Sequence, residues 1–196
     1  MNKHVRTDHP IHELLQKRWS PRAFSAEPID VATLRSLFEA ARWAPSSYNE
    51  QPWAFLVARR EQTEDFARLL ETLVEFNQDW ARSAGGLVLT TARSAFAHNG
   101  TPNRHAWHDL GLAVAQLTVQ ASAAGLYVHQ MAGIVPARAK TLLAIPDGWE
   151  PVSGLAIGYL GDPATLPEKL QQRELAESTR KPQDEFVFSA QWNRPF

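Results

Sequence analysis

Residues 18–24, RWSPRAF, alternate cations with a hydroxyl: Arg18, Ser20 and Arg22. In extended backbone, side chains at i, i+2 and i+4 project to one face, so two guanidiniums and a hydroxyl converge on a single anion. Guanidinium suits phosphate, because its planar fork bonds two oxygens at once. Further along, residues 44–53, APSSYNEQPW, set hydroxyl and amide groups between Pro45 and Pro52. A loop of that composition is stiff and rich in neutral hydrogen-bonding groups, which suits it to a flat polar ring. The two segments together point to a phosphorylated heterocyclic cofactor. Singly, each has a plainer reading: a solvated loop with surface ion pairs for the first, a turn for the second.

The elements that must position these segments follow from periodicity and caps. Asp30 is a good helix N-cap, and Val31, Leu34, Leu37, Phe38 and Ala41 follow at helical spacing. That helix must stop near Trp43, before Pro45. Residues 53–58 and 86–91 read as short buried strands, with a second amphipathic helix between them marked by Phe66, Leu69, Leu70, Leu73 and Phe76. Residues 107–124 form the longest helical stretch, apolar on nearly every side. A helix of that kind is buried all round, which in a chain this size hints at a dimer core; Gly125 is its natural stop. Tyr127 to Met131 is a strand candidate, Pro136 opens a short helix through Ala144, and Val152 to Tyr159 gives another strand. From Pro163 the chain turns polar and proline-spotted, ending in the aromatic FVFSAQW. The expectation is one α+β domain over 1–196, with 163–196 as a C-terminal arm.

Composition narrows the function classes. At 196 residues the chain suffices for one real core. A net charge of −1 advertises no nucleic-acid partner. The lack of cysteine excludes disulfides, thiolate metal sites and cysteine nucleophiles. The start, MNKHVRTDHP, carries no apolar signal core, and no run reaches the roughly 18 residues of a membrane helix. A cytoplasmic protein without a membrane partner is the expectation.

In their order and spacing, RWSPRAF and APSSYNEQPW closely resemble the FMN-dependent nitroreductase family, and the rest of the chain fits that family end to end. The resemblance implies a central, mostly antiparallel sheet flanked by helices. It also implies a homodimer with FMN at the interface and the C-terminal arm exchanged. Residue by residue, Arg18, Trp19, Ser20 and Arg22 match the first flavin-binding segment, with Arg18 on the phosphate and Arg22 near the flavin's pyrimidine edge. Pro45, Ser46, Ser47 and Asn49 match the segment contributed by the other subunit. Asn77 matches an asparagine that bonds the cofactor. Gly133 matches the glycine whose N–H approaches flavin N5, with Met131 and Ala132 beside it. Arg180 matches the late arginine over the phosphate.

Three positions depart from the family's best-known members. Ala132 stands where some carry an acidic residue. Trp80 replaces a lysine, removing a cation and adding stacking surface. Ser178 replaces a second phosphate lysine, leaving Arg18 and Arg180 as the main charges on a phosphate of roughly −1.5 to −2.

The chemistry so implied is a two-step exchange in which NADH or NADPH passes hydride to the flavin and a nitroaromatic, quinone or related electrophile then takes it. No protein nucleophile, general base or metal is required, and residues between Arg93 and Trp107 would cover the acceptor cleft. The same scaffold also serves dehalogenation and flavin-dependent dehydrogenation, and a non-catalytic flavin-binding sensor is the reading from a different class. Among single residues, Arg22 has the alternative of pairing with Glu27 or Asp30. Asn77 has that of a surface helix position, and Gly133 that of a turn before Pro136. His129 and Gln130 read as a structural polar pair. His105 and His108, with Asp109, read as a solvated helix start rather than a metal set.

Overall fold

Apolar runs bounded by turns become the strands of one sheet in the computed structural model, which describes residues 5–196. Residues 1–4 of the polar start, read above as lacking a signal core, lie outside the described residues. Four strands, β1 (Trp53–Arg59), β2 (Gly86–Arg93), β3 (Tyr127–Met131) and β4 (Trp149–Gly158), pair in the order β1-β2-β4-β3, every neighbour antiparallel. Antiparallel sheets commonly leave one face to water; this one buries both. Along β2, Val88 and Ala92 join one apolar cluster while Leu87 and Leu89 join the other. Both faces being dry explains why β2 and the end of β4 read as continuous apolar runs rather than alternating ones. Pro151 is accommodated in β4 where the register with β2 shifts between Thr90 and Thr91, since a proline cannot donate to a regular ladder.

The first face is covered by α2 (Val31–Arg42) and α5 (Ala106–Ala123). The Asp30 carboxylate accepts from Thr33 N–H at 2.9 Å, satisfying an otherwise orphaned donor of α2. At the far end of α5, Leu126 N–H reaches Ala121 C=O at 2.8 Å around Gly125, whose φ of +74° a side-chain-bearing residue would resist.

The second face is covered by α3 (Thr63–Glu71), α4 (Glu75–Ala81) and α6 (Pro136–Leu142), together with Phe24 and α7 (Glu168–Leu175). A five-residue α1 (Glu13–Lys17) precedes the Arg18 segment.

Two expectations change. The helix marked by Phe66 to Phe76 is two helices: Leu73 leaves the spiral to bridge Ile134, Val74 N–H donates to Gly133 C=O, and α4 starts afresh. Phe76, half exposed, belongs to neither buried stripe. Helix α5, read above as apolar on nearly every side, is covered by its own chain on one face: Leu110, Ala113, Val114, Leu117 and Ala121 are buried, whereas Trp107, Gly111 and Ala115 on the other face are open. The second change is in the arm, which is not exchanged as a whole: α7 packs Leu170 into the second cluster of its own chain, and Glu174 bonds its own Arg22 and Ala23.

Candidate functional site

The Arg18–Phe24 segment runs extended along the end of the sheet and alternates as its sequence demands. Trp19, Pro21 and Ala23 are buried; Arg18, Ser20 and Arg22 between them are half-buried and line a cleft. The inward residues fix the segment. Trp19 meets the Tyr127 ring edge-on at 6.1 Å, Ala23 C=O accepts from Gly161 N–H at 2.9 Å, and Phe24 bridges Leu160. The arm supplies the opposite wall through Arg173, Glu174, Glu177, Ser178 and Arg180.

Four guanidiniums therefore surround one cleft against two carboxylates. Burial and the neighbouring Arg180 charge lower the pKa of Arg18, and burial lowers that of Arg22, opposed by Glu174 and reinforced by Arg173. Cations held this close repel one another, and an anion placed among them relieves the repulsion. The plainer reading of Arg22 fails, since Asp30 serves as the α2 cap and Arg22 faces Glu174 and the Trp80 ring. Arg22 Nε and Glu174 Oε2, both buried, have no hydrogen-bond partner among the described residues.

Behind Arg22 lies an aromatic group. Trp80, on α4, is buried, stacks near Phe24 at 6.4 Å, and carries the Arg22 guanidinium 5.8 Å from its ring centroid. Trp80 Nε1 is also buried without a hydrogen-bond partner among the described residues. His129 packs 4.5 Å from the same ring, and its Nδ1 lies 2.8 Å from Pro21 C=O, so Nδ1 carries the proton. Burial, with the Arg22 charge, pushes the His129 pKa down to about 4. A neutral ring bound to a backbone carbonyl is the structural role that the sequence favoured for it.

One helical turn before Trp80, Asn77 is buried and donates from Nδ2 to Gly133 C=O at 3.0 Å. The surface-helix alternative for Asn77 is thereby excluded. A Cβ at Gly133 would lie 2.5 Å from Asn77 Nδ2, so only glycine permits this approach. Met131 is buried beneath, at the end of β3, and Ala132 C=O accepts from Ile134 N–H at 2.9 Å.

The Pro45–Gln51 loop forms a separate cluster that lines no part of the arginine cleft. Tyr48, Asn49 and Gln51 all have φ near +50°, and Ser46 Oγ accepts from Gln51 N–H at 3.0 Å. Three side-chain-bearing residues in the left-handed region within one short loop is a strained arrangement. Two carboxylates hold it. Buried Asp109, at the start of α5, accepts from Ser47 N–H at 2.9 Å, and Glu50 accepts from Ala97 N–H at 2.5 Å. His108 pairs with Asp109 at 3.0 Å, and no metal-holding group of histidines and carboxylates occurs among the described residues. Tyr48, almost fully exposed, meets the Phe96 ring edge-on at 5.9 Å. The stretch between Arg93 and Trp107 thus braces this loop.

Reading the sequence missed three residues of this site. Glu174 Oε1 accepts from both Arg22 N–H at 2.8 Å and Ala23 N–H at 3.0 Å, pinning the Arg18–Phe24 segment from 151 and more residues away. Asp109 does the same for the Ser47 loop, and Arg173 adds a fourth guanidinium to the cleft. Only Arg173 had a local signal, a cation shortly before Arg180 in a helix-capable stretch.

An antiparallel sheet with both faces covered, an arginine cleft at its end and a braced polar loop define a nitroreductase-like α+β fold. A sequence profile of the Nitroreductase family matches residues 15–159, and the chain belongs to that family. The structure superposes with a TM-score of 0.92 on a crystal structure of an oxidoreductase containing FMN, at 36% identity over 98% of each chain. An uncharacterized 15.4 kDa protein from the ask 5′ region of Mycolicibacterium smegmatis is 31% identical over 147 residues, 72% of this chain and 98% of that one. Iodotyrosine deiodinase 1 of Rattus norvegicus is 25% identical over 190 residues, 81% of this chain, which spans 65% of that relative's length.

Proposed function

We propose that this protein is an FMN-dependent oxidoreductase that uses NADH or NADPH to reduce nitroaromatic, quinone or related electrophilic acceptors. The observation that carries the reading is the convergence of Arg18, Ser20, Arg22 and Arg180 on one cleft. The residues present fit FMN: a cleft of excess positive charge suits one terminal phosphate, and the buried, unpartnered Arg22 Nε suits a polar ring edge. The superposition on an oxidoreductase containing FMN supports the same cofactor. No G-x-G-x-x-G turn suits a dinucleotide instead.

When bound, FMN supplies the chemistry, taking a hydride from the reduced nicotinamide and yielding it to the acceptor. The chain's own residues bind and orient. Arg18 and Arg180 hold the phosphate, with Trp19 fixing the segment and Ser20 adding a hydroxyl. Arg22, clamped by Glu174, presents positive charge to the pyrimidine edge and stabilises the negative charge that reduction places there. Asn77 fixes the Gly133 backbone, with Met131 and Ala132 shaping the same wall.

Pro45, Ser46, Ser47 and Asn49 line no part of their own chain's cleft, which supports their serving the flavin of a second subunit. The active unit is then a homodimer of single domains, 1–196, in which α7 and Arg180 stay on their own chain's cleft and the exposed aromatic end of the arm, from Phe186 on, reaches the partner. Among the described residues no helix is long and apolar enough to cross a membrane, which is compatible with a cytoplasmic setting.

The deciding experiment is the colour of the purified protein. It should be yellow, release FMN rather than FAD on denaturation, and oxidise NADH or NADPH rapidly when a quinone or nitroaromatic is added. A colourless protein that excess FMN does not reconstitute overturns the reading. A flavin reduced only by dithionite would mark a binding protein instead. The similarity to a deiodinase favours one second reading, reductive dehalogenation. Release of halide from a halophenol by the dithionite-reduced, flavin-loaded protein would select it.

A further inference from the structure

We propose that Arg173 is a further phosphate-binding residue, the fourth guanidinium of the cleft, presented by α7 to the phosphate monoester of the bound flavin. The inference rests on the FMN reading and goes beyond it, because Arg173 lies outside both sequence segments that marked the cofactor.

The geometry comes from its neighbour. Glu174 is 1% exposed and its Oε1 accepts from the backbone N–H groups of Arg22 and Ala23 at 2.8 and 3.0 Å. Those two bonds dock α7 against the anion-binding segment, so the adjacent Arg173 is held at the same cleft as Arg18, Ser20, Arg22 and Arg180. The Arg173 charge is felt at Arg22, whose pKa it depresses. Its own ion pairs do not explain it. The carboxylates that line the cleft are Glu174, committed to the Arg22 and Ala23 backbone, and Glu177, and neither forms an ion pair with Arg173.

Charge balance points the same way. Setting aside Arg22 and Glu174, which face each other, Arg18, Arg173 and Arg180 stand against Glu177, an excess of about two charges that matches the roughly −1.5 to −2 of a phosphate monoester. Without it, half of that excess is gone. Arg173 is exposed at the cleft, and a phosphate there accepts hydrogen bonds from its planar fork.

Riboflavin provides the test, since it shares the ring and ribityl chain of FMN and lacks the phosphate. Fluorescence titration of the full chain, stripped of flavin, would give both dissociation constants. In Arg173→Ala the constant for FMN should rise about tenfold, the lower end for a charge-assisted bond, while that for riboflavin changes less than about twofold. Arg173→Lys, which keeps the charge, should recover most of the FMN affinity. Equal weakening of both flavins, or weakening of neither, overturns the assignment. So does a raised KM for NADPH with NADH and FMN unaffected, which would assign the residue to the dinucleotide's phosphate.

If the unaltered chain binds neither flavin, the FMN reading itself falls and inorganic phosphate becomes the probe. Thermal protection by phosphate that disappears in Arg173→Ala would keep Arg173 as an anion ligand. Protection equal in both proteins would remove it.

Discussion

At the scale of single residues, His129 separates what local pattern encodes from what the fold imposes. Its ring is buried between Trp80 and the Ser20–Pro21 backbone, with the Arg22 charge nearby, and its pKa falls from the ordinary 6.5 to about 4. The unfolded chain therefore takes up this proton at a higher pH than the folded one. The neutral ring contributes its full stability above pH 6.5, and that contribution is lost as pH falls toward 4. From the shift, the loss is about 3 kcal/mol at most. His129→Asn keeps a donor near Pro21 C=O and removes the titration. Urea unfolding at a series of pH values should then show a flatter profile for the variant between pH 6.5 and 4. Parallel profiles would mean that some other group controls acid stability. The role of His129 was legible as a lone polar pair in an apolar strand, and Arg18, Ser20 and Arg22 were legible because i, i+2, i+4 spacing is a local property. Glu174 and Asp109 were not. Each satisfies backbone N–H groups of a distant segment, and no spacing in the sequence encodes which remote donor a carboxylate will meet.

At the scale of elements, the junction of α4 with the end of β3 is one of the tight contacts around the site. Asn77 Nδ2 and Val74 N–H both donate to Gly133 C=O, which is why the spiral breaks at Leu73 instead of running on to Phe76. Apolar spacing alone reads one helix there, since nothing local punctuates it; a tertiary hydrogen bond to residue 133 decides otherwise. The same limit hid α7, whose polar sequence EKLQQREL offers Leu170 and little else to a core. Elements with a clear local pattern, α2 and all four strands, agreed with their expected bounds to within three residues at each end. A direct test of the junction is Gly133→Ala. The new Cβ would stand 2.5 Å from Asn77 Nδ2 and 2.9 Å from Val74 Cγ2, so α4 must move away at a cost of about 1–3 kcal/mol, the usual range for overpacking. Adding Asn77→Ala should return part of that loss, because one of the two colliding groups is then gone. Thermal melts of the single and double variants measure it. Additive losses would show that the two residues do not touch in solution.

At the scale of the whole molecule, the chain leaves a set of large apolar side chains uncovered. Trp107 is 46% exposed on the open face of α5, with Gly111 and Ala115 beside it, and Phe186, Trp192 and Phe196 of the arm are 60%, 80% and 94% exposed. Phe188 and Trp192 pack on each other at 5.2 Å, closing the arm's end on itself without hiding it. Large open apolar patches mark interaction surfaces. The small residues on the open face of α5 let a second helix approach closely, so a second copy of this chain is the partner that fits. Continuous apolarity along α5 was legible in the sequence and hinted at a shared core; which face its own chain covers was not, because a helix apolar on nearly every side has no periodicity to tell its faces apart. Obligate homodimer interfaces bury about 2,000–5,000 Å², and one of this kind would bring the Pro45–Gln51 loop to the neighbour's cleft. Sedimentation of the flavin-loaded protein at micromolar concentration should accordingly give about twice the chain mass of 22.0 kDa. Ala115→Arg places a charge at the centre of the open face without disturbing its own chain, whose buried face is the opposite one. It should shift the protein to monomer and release FMN, because each cleft would lose Ser46, Ser47 and Asn49 of the other subunit. A monomeric Ala115→Arg protein that keeps its flavin at unchanged affinity would show that one chain builds the whole site, and the cross-subunit role of that loop would be withdrawn.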